Sequence, residues 1–503
     1  AMTAENADVS VCQVWRGALD RMAPLPDYMV IDGARWNGRG GEVIEVLDPA
    51  SGGLIGSVPA GTEGDVDHAV TASRRALVDL WAQVKPAERA RILLRTAQAI
   101  REDANRLAII ETLDSGKPLR EAHGDIETSA RYFEYYAGVA DKLQGNSIPL
   151  GPDYMSFTVC EPVGVTAHIV PWNFPLVQVA RGVAPALAAG NTAIVKPAEQ
   201  TPMTALLLAN ILTGAGLPKG VYSVITGYGH TVGAALAGHP GVNHVTFTGS
   251  VVTGQSVMRA AASHVASVTL ELGGKSPVIV LADADIGSAV AGAIKAFCLN
   301  AGQVCSAGSR LIVEESVEQE VVGRIAAALK SMAAGHGLDN PDIGPIISRK
   351  QLEHIEALVS SALGAGAERI AGNGRIEVPG LEGGFFYSPT MIKAHGVGGP
   401  EVREEIFGPV LTIQAADCPE HALSLANATD YGLVAGIYTR DIGRALALAR
   451  GIEAGQIFIN EYFAGGVETP FGGVKNSGFG REKGLEALKS YLRVKCITTR
   501  IDR

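Results

Sequence analysis

A chain of 503 residues is too long for one ordinary core and predicts two or three domains. With 47% hydrophobic and 19% charged residues it can bury large cores, which excludes a disordered chain. The net charge of −10, with no block of Lys and Arg, points away from nucleic acid and anionic membrane surfaces as partners.

At the start of the chain no basic region precedes an apolar run, and Asp20, Arg21 and Asp27 interrupt anything resembling a signal. Ala1 ahead of Met2 reads as a residue left by expression. Residues 28–60 read as short strands joined by turns. From Thr62 to about Asp141 the pattern turns helical, with apolar residues three and four apart and charges opposite them. Tyr132, Phe133, Tyr135 and Tyr136 form an aromatic cluster expected to pack into the core.

From Val163 the chain alternates. GVTAHIVP and NTAIVKP read as buried parallel strands with APALAAG as helix between them, and SVIT and VNHVTFTG continue the pattern. This predicts a doubly wound sheet of the kind that binds nucleotides. PVIVL, a helix from Asp285 and RLIVEES open a second α/β unit that runs to about Ile459. The tail LKSYLRVKCITT reads as an isolated strand that needs a partner, with another subunit as a candidate to supply it. Sixty-one glycines against 25 prolines suit such an α/β architecture. No stretch is apolar enough to cross a bilayer. Cys12, Cys160, Cys298, Cys305, Cys418 and Cys496 are scattered, with no CxxC pair and no His at zinc spacing. Neither a disulfide framework nor a metal site is expected, and a reducing, cytoplasmic setting fits.

Several motifs carry chemistry: PWNFP (Pro171–Pro175), IVKPAEQTP (Ile194–Pro202), FTGSVVTG (Phe247–Gly254), LELGGKSP (Leu270–Pro277) and NAGQVCSAGSR (Asn300–Arg310). EEIFGPV (Glu404–Val410) and PFGGVKNSGFGREKG (Pro470–Gly484) follow. In this order, over roughly Asp27 to Ile497, they resemble the aldehyde dehydrogenase superfamily, of the NAD-dependent, hydrolytic, non-acylating type.

The resemblance implies an aldehyde dehydrogenase-like fold with two doubly wound α/β domains and a small β oligomerisation element. Residues 1–140 and 162–272 would bind NAD, 273–476 would carry catalysis, and 141–161 with 477–503 would bridge subunits of a homodimer or homotetramer. Cys305, Glu271, Asn173 and Lys196 form the implied catalytic set. An aldehyde must first become a tetrahedral adduct before it can give up hydride, and a thiolate at Cys305 forms that adduct well. Asn173 and the Cys305 N–H would donate to its oxyanion. Glu271 would deprotonate the water, the acyl acceptor, that hydrolyses the thioester. Cys298 reads as a small buried residue.

For the cofactor the resemblance implies Ile169, Val170, Pro171, Trp172, Lys196, Glu199, Gly229, Gly233, Phe247, Gly249, Ser250, Thr253, Leu272, Gly273, Gln351, Glu405 and Phe407. Glu199 would accept from the ribose 2′-hydroxyl and repel a 2′-phosphate, favouring NAD over NADP. Gly249, Ser250 and Gly254 form a GSxxxG turn suited to close approach of a phosphate. The aldehyde would meet Phe174, Val177, Gln178, Arg181, Tyr462, Phe463 and Phe471. Many relatives have Trp in place of Arg181, whereas succinate-semialdehyde dehydrogenases have an Arg that binds the distal carboxylate. Those enzymes also tend to carry a second Arg where this chain has Leu299, and a Ser where it has Gly465. Three readings stay open beside hydrolytic oxidation: a CoA-acylating enzyme, which Glu271 argues against; a catalytically silent binding protein, which the intact Cys305, Glu271 and Asn173 argue against; and an esterase side activity of Cys305.

Overall fold

The computed structural model of the protein describes residues 17–501, so Ala1, Met2, Cys12 and the last two residues of the tail lie outside it. Five segments, Val165–Ile169, Thr192–Lys196, Tyr222–Val224, His244–Thr248 and Ser267–Glu271, lie side by side as parallel strands. Both faces of such a sheet are covered, which explains why the first four are buried at every position. Val165–Ile169 lies in the middle; the next two strands extend the sheet one way and the last two the other way. A crevice therefore opens past the carboxyl ends of Val165–Ile169 and His244–Thr248, where the order reverses.

Antiparallel strands close both edges of this sheet. Met29–Ile31 and Ala34–Trp36 sit at one edge, Gly478–Phe479 at the other. Gly478 and Phe479 fall in the stretch read as bridging element, yet they join the nucleotide-type sheet. The approach is close: a Cβ on Gly478 would lie 1.9 Å from the Leu270 carbonyl oxygen.

The helical region resolves into Glu63–Asp79, Pro86–Glu102, Ala104–Ser115 and Leu119–Ala137. Asp103, with φ −99° and ψ 12°, divides the long AERARILL run in two. Tyr132, Phe133 and Tyr136 are buried among these helices, with Tyr135 packed against them.

A second sheet runs Thr390–Lys393, Val410–Ala416, Arg310–Glu314, Pro277–Val280, Val434–Tyr438 and Gln456–Ile459, all parallel, with Glu368–Ala371 antiparallel at one edge. The tail departs in two ways from its reading as one isolated strand, while its pairing agrees with the grouping of 141–161 with 477–503. Leu488–Tyr491 is helical, so the strand begins at Leu492. That strand also finds a partner in its own chain, running antiparallel to Tyr154–Pro162 from Leu492↔Pro162 to Arg500↔Tyr154, with Ser147–Ile148 beyond. Another subunit is not needed to satisfy that edge. The opposite edge of Leu492–Arg500 has no ladder among the described residues.

Candidate active site

The crevice at the strand reversal holds a cavity of about 250 Å³. Its lining gathers Pro171, Trp172, Asn173, Gly249, Ser250, Glu271, Gly273, Cys305, Gln351, Glu405 and Phe407 from the residues singled out in the sequence, and adds Thr248 and His354. These positions are far apart in the chain: Thr248 and Glu271 end their strands, Asn173 and Gly249 follow strands, and Gln351 and His354 come from the start of the helix Arg349–Gly364.

Asn173 lies just beyond Val165–Ile169, ahead of the helix Pro175–Ala188, whose N1 proline has no N–H to leave unsatisfied. Its carbonyl accepts from Lys117 Nζ and Asn300 Nδ2, both at 2.9 Å. Its side-chain Nδ2 donates to the Gln303 carbonyl at 3.0 Å, and its buried Oδ1 has no partner. The amide is thus fastened to the loop that carries Cys305.

That loop follows the helix Ile286–Cys298 and is left-handed at Asn300 (φ 48°), Ala301 (φ 54°) and Gly302 (φ 72°). Gly302 is required, since a Cβ there would lie 2.2 Å from the Gly408 carbonyl oxygen. Asn300 N donates to Glu121 at 2.9 Å, and Gln303 Oε1 accepts from Ile347 N at 2.9 Å. Asn300 and Gln303 of the NAGQVC motif are therefore staples that fix the loop. Burial pushes the Cys305 thiol up to about 12; Arg181 opposes this, while Glu271 and Glu405 add to it.

Glu271 ends its strand, is buried, and has no partner for either carboxylate oxygen. Burial first, then Glu482, hold its carboxyl well above the usual range, against Arg181 and Arg481.

On the cofactor side, Ser250 caps the helix Val251–Ala262 by accepting from Thr253 N at 3.3 Å. A Cβ on Gly249 would meet the Phe247 ring at 2.6 Å, and one on Gly254 would meet Leu272 at 2.6 Å, so the glycines let this helix end seat against the sheet. Lys196 is buried, with Nζ 3.2 Å from Glu199 Oε1, which also accepts from Gly229 N at 2.6 Å. Burial pulls Lys196 down, opposed by Glu199. Gly229–Gly233 forms the turn beside them. Glu405 Oε1 accepts from Gly274 N at 3.1 Å, and a Cβ on Gly273 would come within 2.1 Å of Glu405 Oε2. Burial pushes Glu405 up to about 7. Phe407 has φ 55° and meets Trp172 edge-on at 5.4 Å, its carbonyl held by Gln351 Nε2 at 3.0 Å. Ile169, Val170, Phe247 and Leu272 are buried around the strand ends and frame the crevice without lining the cavity.

None of the aldehyde-contacting residues named from the sequence lines this cavity. Phe174 lies under Lys117 Nζ at 4.3 Å, Val177 is half-buried and Gln178 buried. Tyr462 is buried, donates to the Ser306 carbonyl at 3.0 Å and meets Phe463 edge-on at 4.8 Å. Arg181 is only 6% exposed, stacks over the Phe471 ring at 5.2 Å and forms an ion pair with Glu482. The charge that would read an anionic tail is already matched. Sequence reasoning passed over Lys117, Thr248, His354 and Glu482. Glu482 stands inside a quoted motif, but nothing in the sequence says which of its charges turns inward.

Residues 36–497 match the family model described as "Aldehyde dehydrogenase family". A hydroxyisobutyraldehyde dehydrogenase of Mycolicibacterium austroafricanum is 40% identical over 95% of this chain and 94% of its own length. Human retinal dehydrogenase 2 is 41% identical over 92% and 90%. A betaine aldehyde dehydrogenase of Staphylococcus aureus, solved in complex with NAD+, superposes with a TM-score of 0.95 at 36% identity, covering 97% of this chain and 98% of that one. Motif order, crevice and relatives converge, and the chain belongs to the aldehyde dehydrogenase family.

Proposed function

We propose that the protein oxidises an aldehyde to its carboxylic acid with NAD, through a thioester on Cys305. The carrying observation is that Cys305, Asn173 and Glu271 line one cavity, with both Glu271 oxygens and the Asn173 Oδ1 unpartnered and buried. The residues also fit the cofactor: glycines seat a helix end at the strand reversal, Glu199 stands beside buried Lys196, and Glu405 faces Gly273. Lys196 and Glu199 would hold the adenosine ribose, Ser250, Thr253 and the helix end the phosphates, and Glu405, Phe407 and Gln351 the nicotinamide half. Bound there, NAD supplies the hydride acceptor.

The protein's own part is to make and break the acyl–sulfur bond. The Cys305 sulfur attacks the carbonyl carbon as its proton leaves, for which Glu271 is the nearby carboxylate acceptor, and Glu271 gives that proton up to solvent before the hydrolytic step. Asn173 Nδ2 and the Cys305 N–H donate to the oxyanion; losing one such donor typically costs about 10²–10³ in rate. Once the acyl group is a thioester, Glu271 takes a proton from water, the water oxygen attacks, and the carbon–sulfur bond breaks. The matched Arg181–Glu482 pair favours uncharged or cationic aldehydes over anionic ones.

Residues up to 140 with 162–272 serve as the NAD-binding domain and 273–476 as the catalytic domain. The sheet of 154–162 and 492–500 bridges subunits of a homodimer or homotetramer through its open edge. Scattered cysteines suit a cytoplasmic setting. In the test, aliphatic, aryl, amino, hydroxy and carboxylate-bearing aldehydes are mixed with NAD and NADH is followed. Turnover that disappears in Cys305→Ala is expected; no NADH from any aldehyde sinks the reading.

A further inference from the structure

The Arg181–Glu482 pair lies on the sheet face that carries Glu271, and the reaction above gives the pair no part in the chemical steps. Side chains alternate along strands, so His168, Thr246, Thr248, Thr269 and Glu271 share one face of the sheet: Thr246 stands in register with His168 and Thr269, and Thr248 with Glu271. Arg181 Nη2 reaches Thr248 Oγ1 at 3.4 Å, which places the guanidinium beside the strand position next to Glu271. Glu482 accepts from Thr246 Oγ1 at 2.9 Å. Glu482 also pairs through its backbone with Phe471 in both directions at 2.7 Å. The next residue, Gly472, abuts the base, for a Cβ there would lie 2.8 Å from Glu271 Oε1. One short chain of contacts thus joins the ion pair to the carboxylate.

We propose that Arg181 is a positioning residue for thioester hydrolysis, the cation that favours the charged form of buried Glu271, with Glu482 anchoring Arg181 and tempering its field. The proposal rests on Glu271 acting as general base. Burial raises Glu271, Glu482 raises it further, and Arg181 and Arg481 pull it back. Arg181 also acts against the rise of Cys305, the titratable group that the catalytic loop brings to the same cavity. The tyrosines and histidines of this layer favour their neutral forms. Tyr132 and Tyr491 are pushed far up by burial, and His168 and His244 are pulled down to about 3 and about 4. Lys483 lies 5.8 Å from the Phe471 ring and is pulled down to about 8 by burial and by Arg181.

The test uses 4-nitrophenyl acetate without NAD, so that acylation appears as a nitrophenolate burst and hydrolysis as the slower release that follows. The acid limb of the slow phase is measured in wild type, Arg181→Gln, Arg181→Lys and Glu482→Gln. The expected result is a limb moved up by about one pH unit in Arg181→Gln, restored in Arg181→Lys, and moved down by about one unit in Glu482→Gln. A merely structural pair would change amplitudes or solubility without moving the limb in opposite directions. If Arg181→Gln does not fold, the downward shift in Glu482→Gln decides. An unmoved limb, or shifts of the same sign, overturns the proposal. No burst in wild type, or a slow phase that survives Glu271→Gln, overturns the nucleophile or base assignment instead.

Discussion

Lys117 shows how one buried charge organises a neighbourhood that carries no chemistry of its own. It is fully buried, pairs with Asp125, lies 3.9 Å from Glu111 Oε1, and donates to the Asn173 carbonyl. Burial lowers its basicity, but Asp125 and Glu111 more than offset this and the net direction is upward, so it stays a cation. Replacing it by Met would leave the carboxyls without their cation and cut one of two bonds to the Asn173 backbone. Breaking a buried pair this way costs about 3–5 kcal/mol. Lys117→Met is therefore expected to unfold at clearly lower urea concentration than wild type, and its soluble fraction to turn over more slowly; an unchanged midpoint would count against this account. Cys305, Glu271 and Asn173, the proposed nucleophile, base and oxyanion amide, were all legible as residues, because their motifs are local. Lys117 and Glu482 were not, because a charge in a polar run becomes functional only when the fold buries it beside a particular neighbour.

At the level of elements, the seating of the helix Val251–Ala262 on its sheet sets the proposed phosphate end of the cofactor site. Gly254 faces Leu272, and a methyl there would sit 2.6 Å from Leu272 Cδ2. Overpacking of this kind typically costs about 1–3 kcal/mol and is relieved by moving the helix outward. Gly254→Ala is expected to weaken NAD binding by roughly tenfold, read by titration calorimetry, which corresponds to about 1.4 kcal/mol. Unchanged affinity would mean that this helix end does not hold the phosphates. Strand and helix periodicity gave most elements correctly, yet placed the break at Asp103 and the helical turn Leu488–Tyr491 poorly. Both are short interruptions set by packing rather than by a change of pattern.

For the whole molecule, the long antiparallel pair of Tyr154–Pro162 and Leu492–Arg500 leaves one edge open and apolar residues outside. Val494 is 68% exposed and Ile497 40%. An open strand edge with apolar side chains invites pairing with another copy. Val494→Lys with Ile497→Lys is expected to shift the protein to smaller species in light scattering coupled to gel filtration. A wild-type monomer, or an oligomer indifferent to both changes, would reject this edge as the interface.

The sequence by itself determined the fold class, the alternation of strands and helices, and the family, since hydrophobic periodicity and short motifs are properties of neighbouring residues. It also named most of the residues that meet at the cavity, but not Thr248 or His354, and the aldehyde-contacting residues it named do not line it. Tertiary structure alone decided that Arg181 faces Glu482 across about 300 positions of chain and that the tail strand finds its partner within the same chain. Pairings of that kind depend on which surfaces the folded chain brings within a few ångströms, and the energy of a buried charge depends on that partner more than on its own identity.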